Sequence, residues 1–363
     1  RLLVSYNNYL RSKETIYNDL TNLSHTTVNS LSSQDTSLFN ALLTKIIYNN
    51  SKINKWKYQL GADMEFHTAK GKRIFNNYQE QSNLASFFTI EHQLSDIISI
   101  RQSNRIIYNS GYSAPFIHSG NVLFKFVDYQ IRASYGKGFR APDFKELYLN
   151  FIDVNHNIIG NENLIAETSM NYNLNNTIKG KIYDVNFTAD FGAFYNKIEN
   201  KINLYEDPFS DGVYSYFNID EFTSKGVNSN IKILCNNIEL IFGSSHTGTL
   251  SQIASGDYNS GYWMFYTNHS LSSFIDLNKS ISFNIFYKYT GRSPYFISEN
   301  NVITQQFSES FNLFDVSLKK ELKNQRINLT LGAKNIFNIT NIKKNQNTSN
   351  VHNADNYSVP IGY

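Results

Sequence analysis

The sequence predicts an all-β protein, an antiparallel up-and-down transmembrane β-barrel of about 15 strands. Three observations lead there: aromatic richness with little charge, apolar/polar alternation over long runs, and short turns that alternate with long polar loops. Of 363 residues, 25 are Tyr and 27 are Phe; aromatics make up 15% of the chain and charged residues only 17%. Soluble chains usually carry about 25% charged residues. Mean hydropathy is nonetheless −0.40, and no apolar run approaches the ~18–20 residues that a spanning helix needs. In a transmembrane barrel only alternate residues meet lipid, so mean hydropathy stays low. A soluble β-sandwich or solenoid fits the composition as well, so the strands have to decide.

Residues 56–67 give the clearest strand. Trp56, Tyr58, Leu60, Ala62, Met64 and Phe66 alternate with Lys57, Gln59, Gly61, Asp63, Glu65 and His67. Globular strands run to about 5–6 residues, whereas a tilted transmembrane strand needs about 9–11. Val185, Phe187, Ala189, Phe191, Ala193 and Tyr195 repeat the pattern against Asn186, Thr188, Asp190 and Gly192. So do Ile281, Phe283, Ile285, Tyr287 and Tyr289, and finally Ile327, Leu329, Leu331 and Ala333. Alternation alone fits a sandwich or a barrel, but this length and aromatic content favour the barrel.

The connections point the same way. Short polar turns fall near 49–54, 93–96, 128, 179–181, 236–237, 277–279 and 323–325. Long loops fall near 13–36, 68–81, 139–166, 200–213, 253–260, 291–306 and 338–358; only 109–113 is short on that side. Outer-membrane barrels have short turns at one end and long loops at the other, and a sandwich has no reason to sort them so.

Other classes find little support. A net charge of +3 without a dense Lys/Arg run does not suggest nucleic acid. The sole cysteine, Cys235, excludes an internal disulfide framework and a Cys-based metal cluster. The chain opens on a strand pattern with no secretory signal, so it is expected to be less than the whole precursor. No metalloprotease, nucleophile-elbow or phosphate-loop motif is present. Asp220 and Glu221 are adjacent on a strand and point to opposite faces, unlike a glycosidase pair. No enzyme is expected.

Residues 134–169 read SYGKGFRAPDFKELYLNFIDVNHNIIGNENLIAETS. Phe139-Arg140-Ala141-Pro142, then Lys145-Glu146-Leu147-Tyr148, then Asn161-Glu162-Asn163-Leu164 and Glu167-Thr168-Ser169 follow in order within one loop. This resembles the paired FRAP and NPNL boxes of TonB-dependent outer-membrane receptors, and departs from them at Glu162 and Ala166, where the family usually has proline. Residues 223–228 (TSKGVN) and 331–338 (LGAKNIFN) are similar to later family segments. The resemblance implies a 22-stranded barrel with the boxes in the loop after strand 13. Here the first box follows the seventh strand. Residues 1–363 are then expected to be a partial barrel domain lacking six N-terminal strands, the final strand and the plug.

The resemblance further implies a receptor in the Gram-negative bacterial outer membrane. It would bind haem, a ferric siderophore or cobalamin at its outer loops as transported ligand, with no permanent cofactor. Energy would come from the TonB–ExbB–ExbD complex through the missing plug, with outer-membrane lipid around the wall and a surface lipoprotein as a further partner. His156, between the boxes, is the candidate haem or corrinoid ligand, because a neutral imidazole ligates such metals; the plain alternative is an ordinary exposed loop histidine. Arg140 and Lys137 are candidates for attracting an anionic ligand, against a structural role for the first box in which Pro142 ends the strand and Phe139 packs the loop root. Tyr148, Tyr205, Tyr214 and Tyr216 are either a platform for a flat ligand or part of the barrel's aromatic girdle. The competing readings are a passive diffusion porin and a soluble glycan-binding surface β-protein.

Overall fold

The computed structural model describes residues 1–28, 34–53, 55–152, 157–206, 213–252, 263–278, 280–299, 302–322, 327–340 and 342. Fifteen long strands form one sheet. They are β1 (Leu2–Glu14), β2 (Gln34–Ile53), β3 (Trp56–Lys70), β4 (Tyr78–Gln93), β5 (Ile98–Asn109), β6 (Ile117–Lys125), β7 (Tyr129–Arg140) and β8 (Glu167–Ile182). After them come β9 (Val185–Glu206), β10 (Tyr214–Cys235), β11 (Ile238–Gln252), β12 (Met264–Asn278), β13 (Ile281–Thr290), β14 (Phe311–Leu322) and β15 (Ile327–Ala333). Each pairs antiparallel with the next in chain order. Among the described residues β1 pairs only with β2, and β15 only with β14, so the sheet is open between those two edges. The strand number and the position of the first box, at the end of the seventh strand, agree with the sequence.

Register assigns every side chain to a face, because successive residues alternate across a strand. On β3 the even-numbered residues form one row with Ile46 and Tyr48 of β2 and with Leu84 and Phe88 of β4. That apolar face is the exposed one: Ile106 is 64% exposed, Leu174 50% and Phe191 43%. A water-soluble sandwich would bury it, and monomeric soluble proteins rarely expose contiguous apolar areas beyond a few hundred Å². The opposite face is polar, and Thr89, Asn109 and Thr249 are buried on it. This inside-out arrangement is that of a wall between lipid and a wet lumen. Shallow grooves on the outer face are lined by Ile46, Ala62, Met64 and Leu84, as suits seats for acyl chains.

Aromatic rings mark the two borders of that wall. Near the turns, Trp56 stacks on His92 at 3.7 Å, and Tyr48 lies beside Tyr58. Toward the loops, Tyr135, Tyr172 and Tyr195 form one registered row on β7, β8 and β9. From Trp56 to Phe66 the rise is about 33 Å at ~3.3 Å per residue, or roughly 25 Å of membrane at the ~40° tilt of such strands.

Among the described residues turns and loops fall where expected, with two differences; the expected turn at 323–325, the loop at 253–260 and most of the loop at 338–358 lie outside the described residues. The 200–213 loop is shorter than expected because β9 and β10 each run for 22 residues, which lifts their hairpin well above the membrane. Small hairpins also occupy two of the expected long loops, Ile16–Asp19 with Ser24–Thr27 and Pro294–Glu299 with Val302–Phe307. Tight turns use residues that tolerate left-handed backbone, such as Asn236 at φ +49°.

Candidate functional site

The loop between β7 and β8 is a folded unit built from the two sequence boxes. β7 ends at Arg140, and the chain turns at Pro142, which has no N–H for the ladder. Pro142 is fully buried and its carbonyl accepts from Gln81 Nε2 at 3.2 Å. A one-turn helix, α1 (Phe144–Tyr148), follows and is closed by a reciprocal cap. Asp143 Oδ1 accepts from the Glu146 N–H, and Glu146 Oε2 accepts from the Asp143 N–H, both at 2.9 Å. Each bond satisfies a backbone donor that a helix start leaves open.

The second box fastens onto this helix. The Asn161 N–H donates to the Glu146 carbonyl at 2.8 Å, and Asn161 Nδ2 donates to the Tyr216 carbonyl at 2.7 Å. Asn161 Oδ1 accepts from the Asn163 N–H at 2.9 Å. Leu164 then packs with Leu147, Ile202 and Tyr216 in a small buried cluster, against which Tyr112, Tyr148 and Ile158 lie. Gly160 is required by close approach, since a Cβ there would sit 2.6 Å from the Leu147 carbonyl oxygen. Asn218 on β10 brackets the exit, accepting from the Ile165 N–H and donating to the Ile165 and Asn200 carbonyls.

Arg140 locks the two ends of the loop together. Its Nε and Nη2 donate to the two oxygens of Glu167 at 2.9 and 2.7 Å, and its Nη1 donates to both oxygens of Glu146 at 3.0 and 2.8 Å. Glu167 also accepts from the Ile202 N–H at 2.7 Å. Such bidentate pairs are strong and fix geometry. The guanidinium is thus consumed by two carboxylates, and its surroundings are net negative. Of the two readings of Arg140, the geometry favours the structural one.

The remaining candidates divide. Lys137 and Arg140 lie on opposite faces of β7, because their numbers differ by an odd step; Lys137 shares the outer face with the Tyr135 row. The structure therefore does not bring them together. Phe139 is also on the outer face, opposite Thr168. Tyr148 is half-buried, 6.0 Å from Phe144; burial first, and then Glu162, pushes its phenol above the usual range. Burial, followed by Tyr148 and Glu146, does the same to Tyr112. Tyr216 belongs to the buried cluster rather than to a platform, and Tyr214 stands half-buried at the loop end of β10. His156 and the Tyr205 side chain lie outside the described residues. Sequence reading missed Glu146 and Glu167 as the partners of Arg140, although both stand inside quoted motifs. It also missed Asn218, for which no local signal exists.

The helix lies on the lumen side. Arg140 and Glu167 occupy lumen-facing positions, and Phe144 meets His67, a lumen-facing residue of β3, at 6.4 Å edge to face. A wide β-wall with an apolar outer face, a polar inner face and a folded loop leaning over the lumen is the architecture of an outer-membrane-type β-barrel. Residues 3–336 match the model of the TonB dependent receptor-like β-barrel family. The chain belongs to that family. Solved structures similar to it include the siderophore receptor PirA from Acinetobacter baumannii, at 14% identity and TM-score 0.67, covering 93% of this chain and 55% of that one. A ferric enterobactin receptor (PfeA) from Pseudomonas aeruginosa in complex with enterobactin matches at 13% identity and TM-score 0.64, covering 93% and 54%. The FrpB iron transporter from Neisseria meningitidis matches at 12% identity and TM-score 0.66, covering 92% and 56%. The chain thus spans little more than half the length of these proteins. No curated protein sequence matches it.

Proposed function

We propose that the chain forms the wall and outer loops of an outer-membrane receptor that imports an iron complex, driven by the TonB–ExbB–ExbD system through a plug that these residues do not include. The observation that carries this reading is the box-built loop, held by Arg140 over the lumen of a family barrel. A passive porin has no need of a rigid two-box unit stapled across four strands, β7 to β10. A soluble glycan-binding protein would not expose an apolar sheet face bordered by aromatic rings. The similar solved structures are a siderophore receptor, a ferric enterobactin receptor and an iron transporter, which favours a ferric chelate as cargo. Haem and cobalamin remain alternatives that rest on His156. Lipid contacts the outer face, and a surface lipoprotein is a further candidate partner.

The test is uptake of radioactive iron by cells lacking other ferric receptors and producing the full-length protein. Catecholate, citrate, hydroxamate and haemin complexes would be supplied, with and without a protonophore. Energy-dependent uptake of at least one complex is expected. Entry of small solutes regardless of energisation would support the porin, and no uptake of any complex would refute iron import. A Soret titration with haemin beside His156→Ala separates haem from the rest.

A further inference from the structure

The lumen-facing positions of β5 to β8 carry charge of nearly one sign. Register places Arg101 and Arg105 of β5, Lys125 of β6, Arg132 of β7, and Lys179 and Lys181 of β8 on this face. The only carboxylate at these positions, Glu167, is taken by Arg140 at the loop end. Arg105 is likewise neutralised, by Asp63 at 2.7 Å. The other five differ. Each is exposed, and none makes an ion pair among the described residues, although carboxylates border them: Glu91 of β4 stands opposite Arg101 and is held by Lys57, and Asp96, Asp128 and Asp184 lie in the adjoining turns. All five also lie within four residues of the turn end of their strands. With strands ~4.8 Å apart, they form a crescent about 15 Å wide at the lumen's turn-end mouth. The lumen face elsewhere is mixed: Lys57 is paired with Glu91, and Lys232 with Glu239.

Like charges gathered on adjacent strands repel one another and cost stability unless something offsets them. Ordinary barrel walls disperse or pair such groups, as this one does at Arg105. An unpaired basic arc on a concave, low-dielectric wall focuses a positive potential into the opening. It lies below the loop unit, on the same side of the barrel as the first box.

We infer that this crescent is an exit site for an anionic cargo, a carboxylate- or phenolate-rich metal chelate of net negative charge, which it draws from the loops toward the turn-end mouth. The inference rests on the import reading and narrows its substrate class. The charges that attract the ligand are then Arg101, Lys125 and Arg132 with the two β8 lysines, not the locked Arg140.

The full-length receptor supplies the test. Uptake of anionic ferric citrate and of cationic ferrioxamine B, and binding of each to cells, would be measured for three proteins. These are wild type, the triple variant Arg101→Gln, Lys125→Gln, Arg132→Gln, and a charge-conserving variant Arg101→Lys, Arg132→Lys. The expected result is uptake of the anionic complex by wild type, about tenfold slower uptake in the triple variant with cell-surface Kd unchanged, and near-normal uptake in the conservative variant. Uptake of only the cationic complex, an unchanged rate in the triple variant, or loss in the conservative variant would overturn the inference while leaving import intact. Equal slowing of both complexes would also overturn it, because the crescent would then hold the plug rather than guide the cargo. Uptake of neither complex by wild type, with import of another chelate, would overturn the anionic class alone; uptake of no chelate at all would remove the import reading beneath it.

Discussion

Arg140 and Arg132 stand on the same face of the same strand, eight residues apart, and have opposite fates. Arg140 ends β7 and is held by four hydrogen bonds to two carboxylates. Arg132 lies near the turn, exposed and opposite the uncharged Leu123 and Asn175. The difference teaches that a cation in a receptor barrel is informative through its partners rather than its motif. The arginine inside the recognisable box is part of the scaffold, and the one in an unremarkable strand makes no ion pair among the described residues.

The comparison can be broken at several points. The largest effect is expected from Leu164→Ala, which empties the floor of the cluster beneath Arg140. Burial of this kind is worth about 2–4 kcal/mol, so residues 143–165 should lose protection against hydrogen exchange while β7 around Arg132 keeps its own. Equal loss in both regions would mean that loop and wall unfold together. Next comes Gly160→Ala. The new methyl group would press on the Leu147 carbonyl, at a cost of about 1–3 kcal/mol, again confined to the loop and read as faster proteolysis there. Preserved resistance would show that the close approach is relieved cheaply.

Smaller effects sharpen the contrast. Arg132→Gln should change the unfolding midpoint in detergent by no more than about 0.5 kcal/mol equivalent, as for a surface group without a partner; a larger loss would give Arg132 a structural role. Lys137→Ala should leave chelate binding unchanged, because its side chain is on the outer face; a weakened Kd would place ligand where the register puts lipid. The smallest effect concerns Tyr148. Its phenol is raised by burial in the folded loop, so the folded state holds its proton longer than the unfolded one. That contribution to loop stability is full below the ordinary tyrosine pKa of about 10 and is lost as pH rises through the higher folded value. Absorbance titration against Tyr148→Phe would detect one late-ionising tyrosine, and ionisation at the ordinary pH would contradict the burial.

Much of the wall was legible in the sequence. Alternation at residues 56–67 or 185–195 fixes faces directly, because a strand that is half in lipid must be apolar every second residue. Turn chemistry at 128, 236–237 and elsewhere fixes the reversals. The opposite faces of Lys137 and Arg140 are legible too, through parity alone, which already separates the two candidates for an anionic ligand and leaves the structural role of the first box open. What was not legible is long-range. Glu167 reaches Arg140 only because β7 and β8 pair in one register, and Tyr216 joins Leu147 across a separation of 69 residues that no local pattern encodes. The height of the β9–β10 hairpin was hidden for a similar reason: polar residues above a membrane look the same in sequence whether paired in a strand or looped.

The most direct test of the locked loop is hydrogen exchange of the intact receptor in detergent, wild type beside Arg140→Gln, resolved for residues 143–165 and 129–135. Charged hydrogen bonds are worth roughly 1.5–3 kcal/mol each, so protection in 143–165 should fall at least about tenfold while 129–135 is unaffected. Unchanged protection in 143–165 would contradict the assignment of Arg140 as the clamp and return it to the ligand.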